Sequence, residues 1–177
     1  EISIAVPATT NTMYDVFCYS NAGTPTLELT SWTNDTTRAT ALVYQNGVYV
    51  RSGATTRRYI GSFRTTGVSG QTEDSVAIRF VWNMYNRVVR PMRVKDATDS
   101  WTYSTQTFRQ ARAAAANQLD MVRGLDEDAV SVRVHVGVGT DQVTARTVYV
   151  GFGLDSTSLL ATDCVNSVQQ VTSTAVI

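Results

Sequence analysis

The chain has 177 residues, of which 43% are hydrophobic, and its 15 basic and 15 acidic residues leave a formal net charge of zero. This length fits one domain of ordinary size that can bury a sizeable core. The charge balance gives no basic surface that would predict a nucleic-acid or membrane partner. No apolar run approaches the roughly 20 residues that span a bilayer.

Short alternating apolar runs, separated by Thr, Ser, Gly and Asn, begin at the first residues and predict strands. Residues 2–6 already show this alternating strand pattern, so the start of the sequence resembles the interior of a longer chain. We therefore expect the sequence to be the C-terminal part of a longer chain. A second strand is predicted over 13–19, with large apolar side chains on both faces, and a third over 27–32. Residues 21–25 between them have the composition of a turn.

The middle of the chain carries the strongest local signal, an Asn-Gly pair between two apolar runs. Residues 42–44 and 48–50 flank it, and this arrangement predicts a hairpin with a tight turn at 45–47. Residues 59–63 have the composition of the next strand.

The following segments are less regular. Residues 75–85 alternate with apolar side chains on both faces, which predicts another strand. Residues 88–94 continue as a strand, but Pro91 lacks a backbone donor and restricts it to a sheet edge or a bulge. Trp101 and Tyr103 share one face of a further short strand.

Residues 108–123 fit two interpretations. Their apolar side chains recur at helical spacing, with Thr107 placed to cap the start and Gly124 the end. Residues 117–121 can also alternate as a strand, which the β-rich surroundings favour. Helix and strand therefore both stay open for this segment.

The last third returns to strand patterns. Residues 130–138 alternate valine with polar residues, which is typical of a half-buried strand. Residues 148–154 predict another strand, and 164–177 one or two more. Together the short strands predict an all-β fold: a single domain over residues 1–177, an antiparallel β-sandwich of jelly-roll type.

The sequence predicts no catalytic residue, metal site or cofactor, and hence no enzyme. His135, which is the one histidine, falls on the outward face of the valine strand without a partner that would form a catalytic triad. Residues 126–128 form an acidic run that could hold a hard cation or serve acid–base chemistry, which leaves a glycan hydrolase as a third hypothesis, but a solvated loop is the simpler interpretation. Cys18 and Cys164 are expected to be free, buried thiols.

Association with other subunits has firmer support. A strand with two apolar faces is expected to pack one of them on another sheet layer or another subunit. The candidate interface residues lie at the end of the 75–85 run and in the arginine-rich segment after it. They are Val81, Tyr85, Arg87, Arg90 and Arg93.

Several short motifs resemble those of tailed-bacteriophage virion proteins. The most specific are QTED at 71–74, WNMYNR at 82–87 and RPMR at 90–93. The others cover residues 14–19, 27–32, 35–39, 53–61 and 65–67.

This resemblance implies a structural protein of the virion, assembled in the host cytoplasm, and leaves open whether it lies on the head or the tail. A capsid decoration (cement) protein or the head of a fibre is expected, working as a homotrimer with other virion proteins as partners. The competing hypothesis is a receptor-recognition domain that binds host-surface glycan through exposed aromatic residues such as Trp32 and Trp101.

Overall fold

The structure is a computed structural model that describes residues 1–105, 107–126, 130–136, 146–161 and 167–171. These residues contain strands and one short 3-10 helix, Ala111–Ala113, and no α-helix. The strands are β1 Met13–Asn21, β2 Thr24–Ser31, β3 Leu42–Gln45, β4 Val48–Arg51, β5 Ala54–Arg64, β6 Ile78–Arg79, β7 Val81–Asn83, β8 Asp120–Met121, β9 Arg146–Val150 and β10 Ser167–Val171.

The chain divides into two compact units. The first contains Glu1–Lys95 and Gln118–Asp128, and the second contains Asp96–Asn117 and Ala129–Ile177. The chain therefore leaves the first unit, returns to it for one short segment, and leaves again.

The first unit is built on a six-stranded sheet with the order β2-β1-β5-β4-β3, in which β7 also pairs with β5. Every pairing in this sheet is antiparallel, whereas β6 and β8 pair in parallel. The all-β class and the antiparallel sheet expected from the alternation are confirmed. The jelly-roll arrangement and the single domain over residues 1–177 stay predictions.

The hairpin expected at the Asn-Gly pair is present. Strands β3 and β4 pair from Leu42 opposite Arg51 to Gln45 opposite Val48, which leaves a two-residue turn. Asn46 and Gly47, which form this turn, have φ angles of 53° and 83°. Asn and Gly adopt this left-handed backbone at low cost, and the turn therefore sets the register of both strands.

One face of the sheet carries Met13, Asp15 and Phe17 of β1, and we call it the covered face. Met13 packs in a buried cluster with Phe80. Phe17 packs in a second cluster with Tyr59 of β5, and each of these two rings is fully buried. Both clusters of buried hydrophobic side chains therefore lie on this face.

Residues 118–126, which we call the strap, complete that core. The backbone N–H of Asp120 donates to Ala77 O at 3.1 Å, and that of Val122 donates to Arg79 O at 2.8 Å. Val122 is buried in the Met13 cluster and Leu125 in the Phe17 cluster. The strap therefore belongs to the first unit although the second unit flanks it in sequence.

The second unit is described only in part. Strands β9 and β10 form an antiparallel pair with Ser167 opposite Val150. Asp96 accepts a hydrogen bond of 2.6 Å from Asn117 Nδ2 and pairs with Arg112 Nε at 3.0 Å. The hydrogen bond from Asn117 contributes most to lowering the pKa of Asp96 to about 2.

Residues 108–123 form neither the expected helix nor a continuous strand. The 3-10 helix at Ala111–Ala113 stops at once, because Arg112 and Ala113 have φ angles of 56° and 51° that no right-handed helix continues. The strand interpretation is right only for β8. The backbone N–H groups of Asp120 and Val122 in the strap donate to carbonyl groups at 77 and 79, whereas in a helix they would donate to carbonyl groups four residues earlier.

The run over 75–85 is also interrupted. It forms β6 and β7, with Phe80 between them belonging to neither strand. The Phe80 N–H donates to Glu73 O at 2.9 Å, and its carbonyl accepts from the Arg64 N–H at 2.9 Å. Phe80 thus connects two different partners, which breaks the single ladder expected from the alternation.

Four other strand predictions are wrong for the residues that the structure describes. Residues 2–6, 88–94, 101–103 and 130–136 lie in no strand. The valines of the 130–136 run are all exposed by 37% or more. Alternation identifies a possible face, but a strand also needs a neighbour that accepts its backbone hydrogen bonds. Positions 137–138 lie outside the described residues.

The C-terminal predictions hold in part. The strand expected over 148–154 is β9, which ends at Val150, while residues 151–154 continue without strand pairing. Within 164–177 the structure describes one strand, β10.

Candidate functional site

The opposite face of the sheet, which carries Tyr14, Val16 and Cys18 of β1, is less completely buried, and we call it the open face. At one end the rings of Tyr14 and Phe63 stack with centroids 5.4 Å apart, and both side chains are buried. Toward the other end Val16, Cys18 and Ile60 are only half buried. One of the two apolar faces expected for strand 13–19 is therefore covered, and the other is partly exposed to solvent.

An irregularity in the sheet shapes this face. The pairing of β1 with β5 shifts register between Val16 and Phe17, so that Val16 faces Gly61 and Phe17 faces Tyr59. Ile60 is the extra residue of this bulge. Bulges change the direction of a side chain without ending the sheet, and Ile60 here borders both cavities of the open face.

The larger cavity is an open groove of about 500 Å³. Its walls include Cys18, Ser20, Pro25, Arg58, Ile60 and Tyr85. A smaller cavity of about 130 Å³ continues along the sheet beside Val16, Phe63 and Val81. The two cavities together form an apolar furrow that carries one cationic side chain, Arg58.

Arg58 is fixed by Tyr85 and not by a carboxylate. Its Nε donates to the Tyr85 hydroxyl at 2.7 Å, and its guanidinium carbon lies 4.5 Å from the centre of the Tyr85 ring. No acidic side chain among the described residues pairs with it. The neighbouring Arg57 points to the covered face instead, where its Nε lies 3.3 Å from Glu28 Oε2. Arg58 therefore brings an uncompensated positive charge to the groove.

Two of the five predicted interface residues lie on this furrow. Val81 pairs with Phe63 across β7 and β5 and is 39% exposed. Tyr85 follows β7 and is 50% exposed at the mouth of the groove. The structure thus places Val81 and Tyr85 beside half-buried side chains of β1 and β5. Those two strands are distant from Val81 and Tyr85 in sequence.

The three arginines of the prediction lie elsewhere. The guanidinium of Arg87 lies 5.2 Å from the centre of the Trp82 ring. Arg90 Nη1 pairs with Asp74 Oδ2 of its own chain at 2.5 Å. Arg93 is exposed, and its backbone N–H donates to Val76 O at 3.0 Å. Arg90 therefore already has a carboxylate partner within its own chain.

A second cluster, buried on the covered face, joins the sheet to the strap. Arg38 Nε pairs with Asp15 Oδ2 at 2.9 Å, and Ser62 Oγ donates to Asp15 Oδ1 at 2.7 Å. The hydroxyls of Ser62 and Tyr59 share a hydrogen bond of 2.6 Å. Arg38 Nη2 also donates to the carbonyl oxygen of Gly124 in the strap.

Burial dominates the acid–base properties of this cluster. It raises the pKa of the Asp15 carboxyl above the usual 3.8, although the hydrogen bond from Ser62 and the charge of Arg38 oppose the change. Burial also raises the pKa of the Tyr59 hydroxyl to about 12. Asp15, Tyr59 and Ser62 are each no more than 2% exposed, so a substrate has no access to them. The cluster therefore fixes the strap on the sheet and does not offer reactive groups at the surface.

The members of this cluster are far apart in the chain, so their association could not be predicted from the sequence. Asp15 and Ser62 are separated by 47 positions, and Arg38 and Gly124 by 86. The one local signal was an acidic residue, Asp15, inside an otherwise apolar strand. Such a residue is rarely buried unless it is paired, which predicts a partner but not its position.

The remaining chemical candidates do not converge on a site. His135 and Asp126 are exposed, and the other acidic residues at 127–128 lie outside the described residues. Within the described ranges no three His, Cys, Asp or Glu side chains are grouped so that they could hold a metal ion. Cys18 is a free thiol as expected, but it is half buried and not buried, and Cys164 lies outside the described residues.

Comparison with known proteins adds no relative. No family model, curated protein or solved structure matches the chain. Of the part of the chain that the structure describes, no helix has the length and apolar character to cross a membrane.

Proposed function

We propose that this chain is a structural protein on the surface of a bacteriophage particle, either a capsid decoration (cement) protein or the head of a fibre. It is assembled in the host cytoplasm and acts as a homotrimer that binds other virion proteins. The motifs at 71–74, 82–87 and 90–93 support the choice of family. The action is mechanical: subunits bury apolar sheet surface against each other.

The observation that carries the proposal is the furrow on the open face. Antiparallel sheets often leave one face to solvent, but that face is then mainly polar. Here Val16, Ile60 and Val81 line it, with Tyr85 and Arg58 at one end. Apolar side chains with Tyr and Arg at the margin are the composition of a subunit interface.

Two measurements test this proposal. Sedimentation velocity on the purified chain is expected to give a trimer at micromolar concentration, and a monomer throughout would contradict self-association. Electron cryomicroscopy of intact particles with antibody-labelled chain is expected to place the label on the particle surface. Particles that lack the label would contradict the virion assignment.

A second candidate is a host-glycan-binding domain, and one observation in the second unit favours it. Trp101 and Tyr103 are 42% and 38% exposed, and the Arg109 guanidinium lies 5.9 and 3.8 Å from their ring centres. Exposed aromatic rings beside a cation suit an acidic sugar. Trp32 is less suitable, because the Arg38 guanidinium covers its ring at 4.3 Å.

A glycan array separates the two functions. Binding of an acidic glycan that Trp101→Ala abolishes and Trp32→Phe preserves would support the receptor-recognition function. If no glycan binds while the chain still assembles on particles, the structural function stands alone.

A further inference from the structure

A compact loop in the second unit has features that match the groove of the first. Residues 152–161, which we call the knob loop, are closed by a hydrogen bond from the Ala161 N–H to Phe152 O at 2.9 Å. Inside it, Ser156 Oγ accepts from the N–H of Leu159 at 3.0 Å. A side chain at Gly153 would overlap the carbonyl oxygens of Ser156 and Leu159. The loop is therefore tightly wound and held by its own contacts.

The knob loop presents an acidic residue between two exposed leucines. Leu154 is 63% exposed and Leu159 is 71% exposed, which are high values for such large apolar side chains. Asp155 is exposed, with a φ of 50° that Asp tolerates. Within the described residues no hydrogen bond or ion pair engages its carboxylate. The loop thus offers apolar surface and one uncompensated negative charge.

The groove offers the complementary set. Its walls are apolar at Pro25 and Ile60, and its one cation, Arg58, has no acidic partner among the described residues. Desolvating an unpaired charge is costly, so a partner that fills this groove must supply a carboxylate or another anion at Arg58. A purely apolar partner would leave the guanidinium buried and unpaired.

We infer that the knob loop of one copy seats in the groove of a second copy, with Leu154 and Leu159 on its apolar walls and Asp155 paired with Arg58. This inference rests on the proposed self-association and names the surfaces that carry it. The contact joins two different surfaces, so it is head-to-tail, and repetition around an axis closes a ring. A homotrimer is one such ring.

Disulfide trapping tests the contact directly, because Cys18 lies in the wall of the groove. In a Cys164→Ser background, Leu159→Cys is expected to give covalent dimers and trimers under mild oxidation at a protein concentration where the chain associates. The matched control is Val89→Cys, since Val89 is 98% exposed and belongs to neither surface. The inference is overturned if Leu159→Cys crosslinks no faster than the control, or if it crosslinks Cys18 of its own copy.

A second measurement compares substitutions at the proposed ion pair with a substitution at Arg57, the residue next to Arg58. Arg58→Gln and Asp155→Asn are each expected to weaken association about tenfold or more. Arg57→Gln is expected to leave association unchanged, because Arg57 pairs with Glu28 on the opposite face. Thermal melting of each variant controls for folding.

The outcomes separate this inference from the proposed function. If the unsubstituted chain is monomeric at every concentration, the proposed self-association fails. If it associates, but Arg58→Gln and Asp155→Asn associate as tightly as the unsubstituted chain, self-association stands and the knob-in-groove contact is wrong.

Discussion

Arg38 Nε lies 2.9 Å from Asp15 Oδ2, and this ion pair joins the segment after β2 to the centre of the sheet. The two partners are unequally buried: the Asp15 side chain is 3% exposed and that of Arg38 is 21% exposed. Because Arg38 also donates to Gly124 O, the pair links strand, loop and strap. Its loss is therefore expected to loosen the strap as well as the sheet.

The unequal burial predicts unequal costs of removing each partner. Arg38→Gln leaves the Asp15 carboxylate buried without a counter-ion, and we expect the free energy of unfolding to fall by about 3–5 kcal/mol. Asp15→Asn is expected to cost less, because the remaining guanidinium reaches solvent and keeps its contact with Trp32. Urea denaturation measures both values, and equal losses, or a larger loss for Asp15→Asn, would contradict this account.

A surface pair provides the control for these two substitutions. Arg64 Nη2 lies 3.1 Å from Asp35 Oδ2, and the Asp35 side chain is 57% exposed. Asp35→Asn is expected to change the free energy of unfolding by no more than about 1 kcal/mol.

The buried hydroxyl of Tyr59 predicts a loss of stability at alkaline pH. Its pKa is raised from 10 to about 12 in the folded chain. Because the pKa is raised in the folded chain, the neutral hydroxyl contributes its full stabilisation below pH 10. This stabilisation is lost as the pH rises through the pKa of the folded chain. The free energy of unfolding is expected to fall by about 1.4 kcal/mol per pH unit, or about 3 kcal/mol across this interval.

Tyr59→Phe removes the ionisable group, so this alkaline fall is expected to disappear from its urea denaturation series. Tyr44→Phe is the control, because Tyr44 is 64% exposed and its substitution is expected to keep the alkaline fall. An unchanged profile in Tyr59→Phe would show that other groups cause the loss.

Gly124 of the strap has no room for a side chain. A Cβ there would overlap the Trp82 ring and the Tyr59 hydroxyl. Gly124→Ala is therefore expected to lower the free energy of unfolding by about 1–3 kcal/mol through overpacking. Gly67→Ala is the matched control, since the nearest atoms to its Cβ, in Asn11, are 3.9 Å away. Equal melting temperatures for the two variants would contradict the close packing of the strap.

The features that sequence analysis predicted correctly are local ones. The β3–β4 hairpin depends on the conformational preferences of Asn46 and Gly47, which are adjacent in sequence and need no distant partner. Strand β1 was predictable for a similar reason, because an apolar run of this length with large side chains on both faces favours strand over loop.

The features that were missed depend on contacts across long stretches of chain. Residues 130–136 alternate as well as any strand, yet they lie in no ladder, because alternation does not show whether a neighbouring strand exists. The groove combines Cys18, Arg58 and Tyr85 from three separate parts of the chain. Tyr85 was predicted as an interface residue, but Arg58 was not, because the pattern gave no sign that Arg57 would be ion-paired and Arg58 would not.

Tyr85 is expected to be the anchor of self-association. Its ring is half exposed at the mouth of the groove, and its hydroxyl accepts the hydrogen bond that orients Arg58. Tyr85→Ala removes both the apolar contact and the orientation, so we expect it to weaken assembly by about 1–3 kcal/mol in sedimentation equilibrium. Tyr85→Phe keeps the ring and is expected to lose less.

Arg90→Gln is the matched comparison for Tyr85→Ala, because Arg90 was also predicted as an interface residue but does not line the furrow. Arg90 pairs with Asp74 of its own chain, and Arg79 pairs with the same carboxylate at 3.0 Å. Removing Arg90 leaves Asp74 a partner, so assembly is expected to stay within about 0.5 kcal/mol of the unsubstituted chain, as for surface substitutions in general. If Arg90→Gln disrupts assembly and Tyr85→Ala does not, the interface follows the arginine segment and not the furrow of the open face.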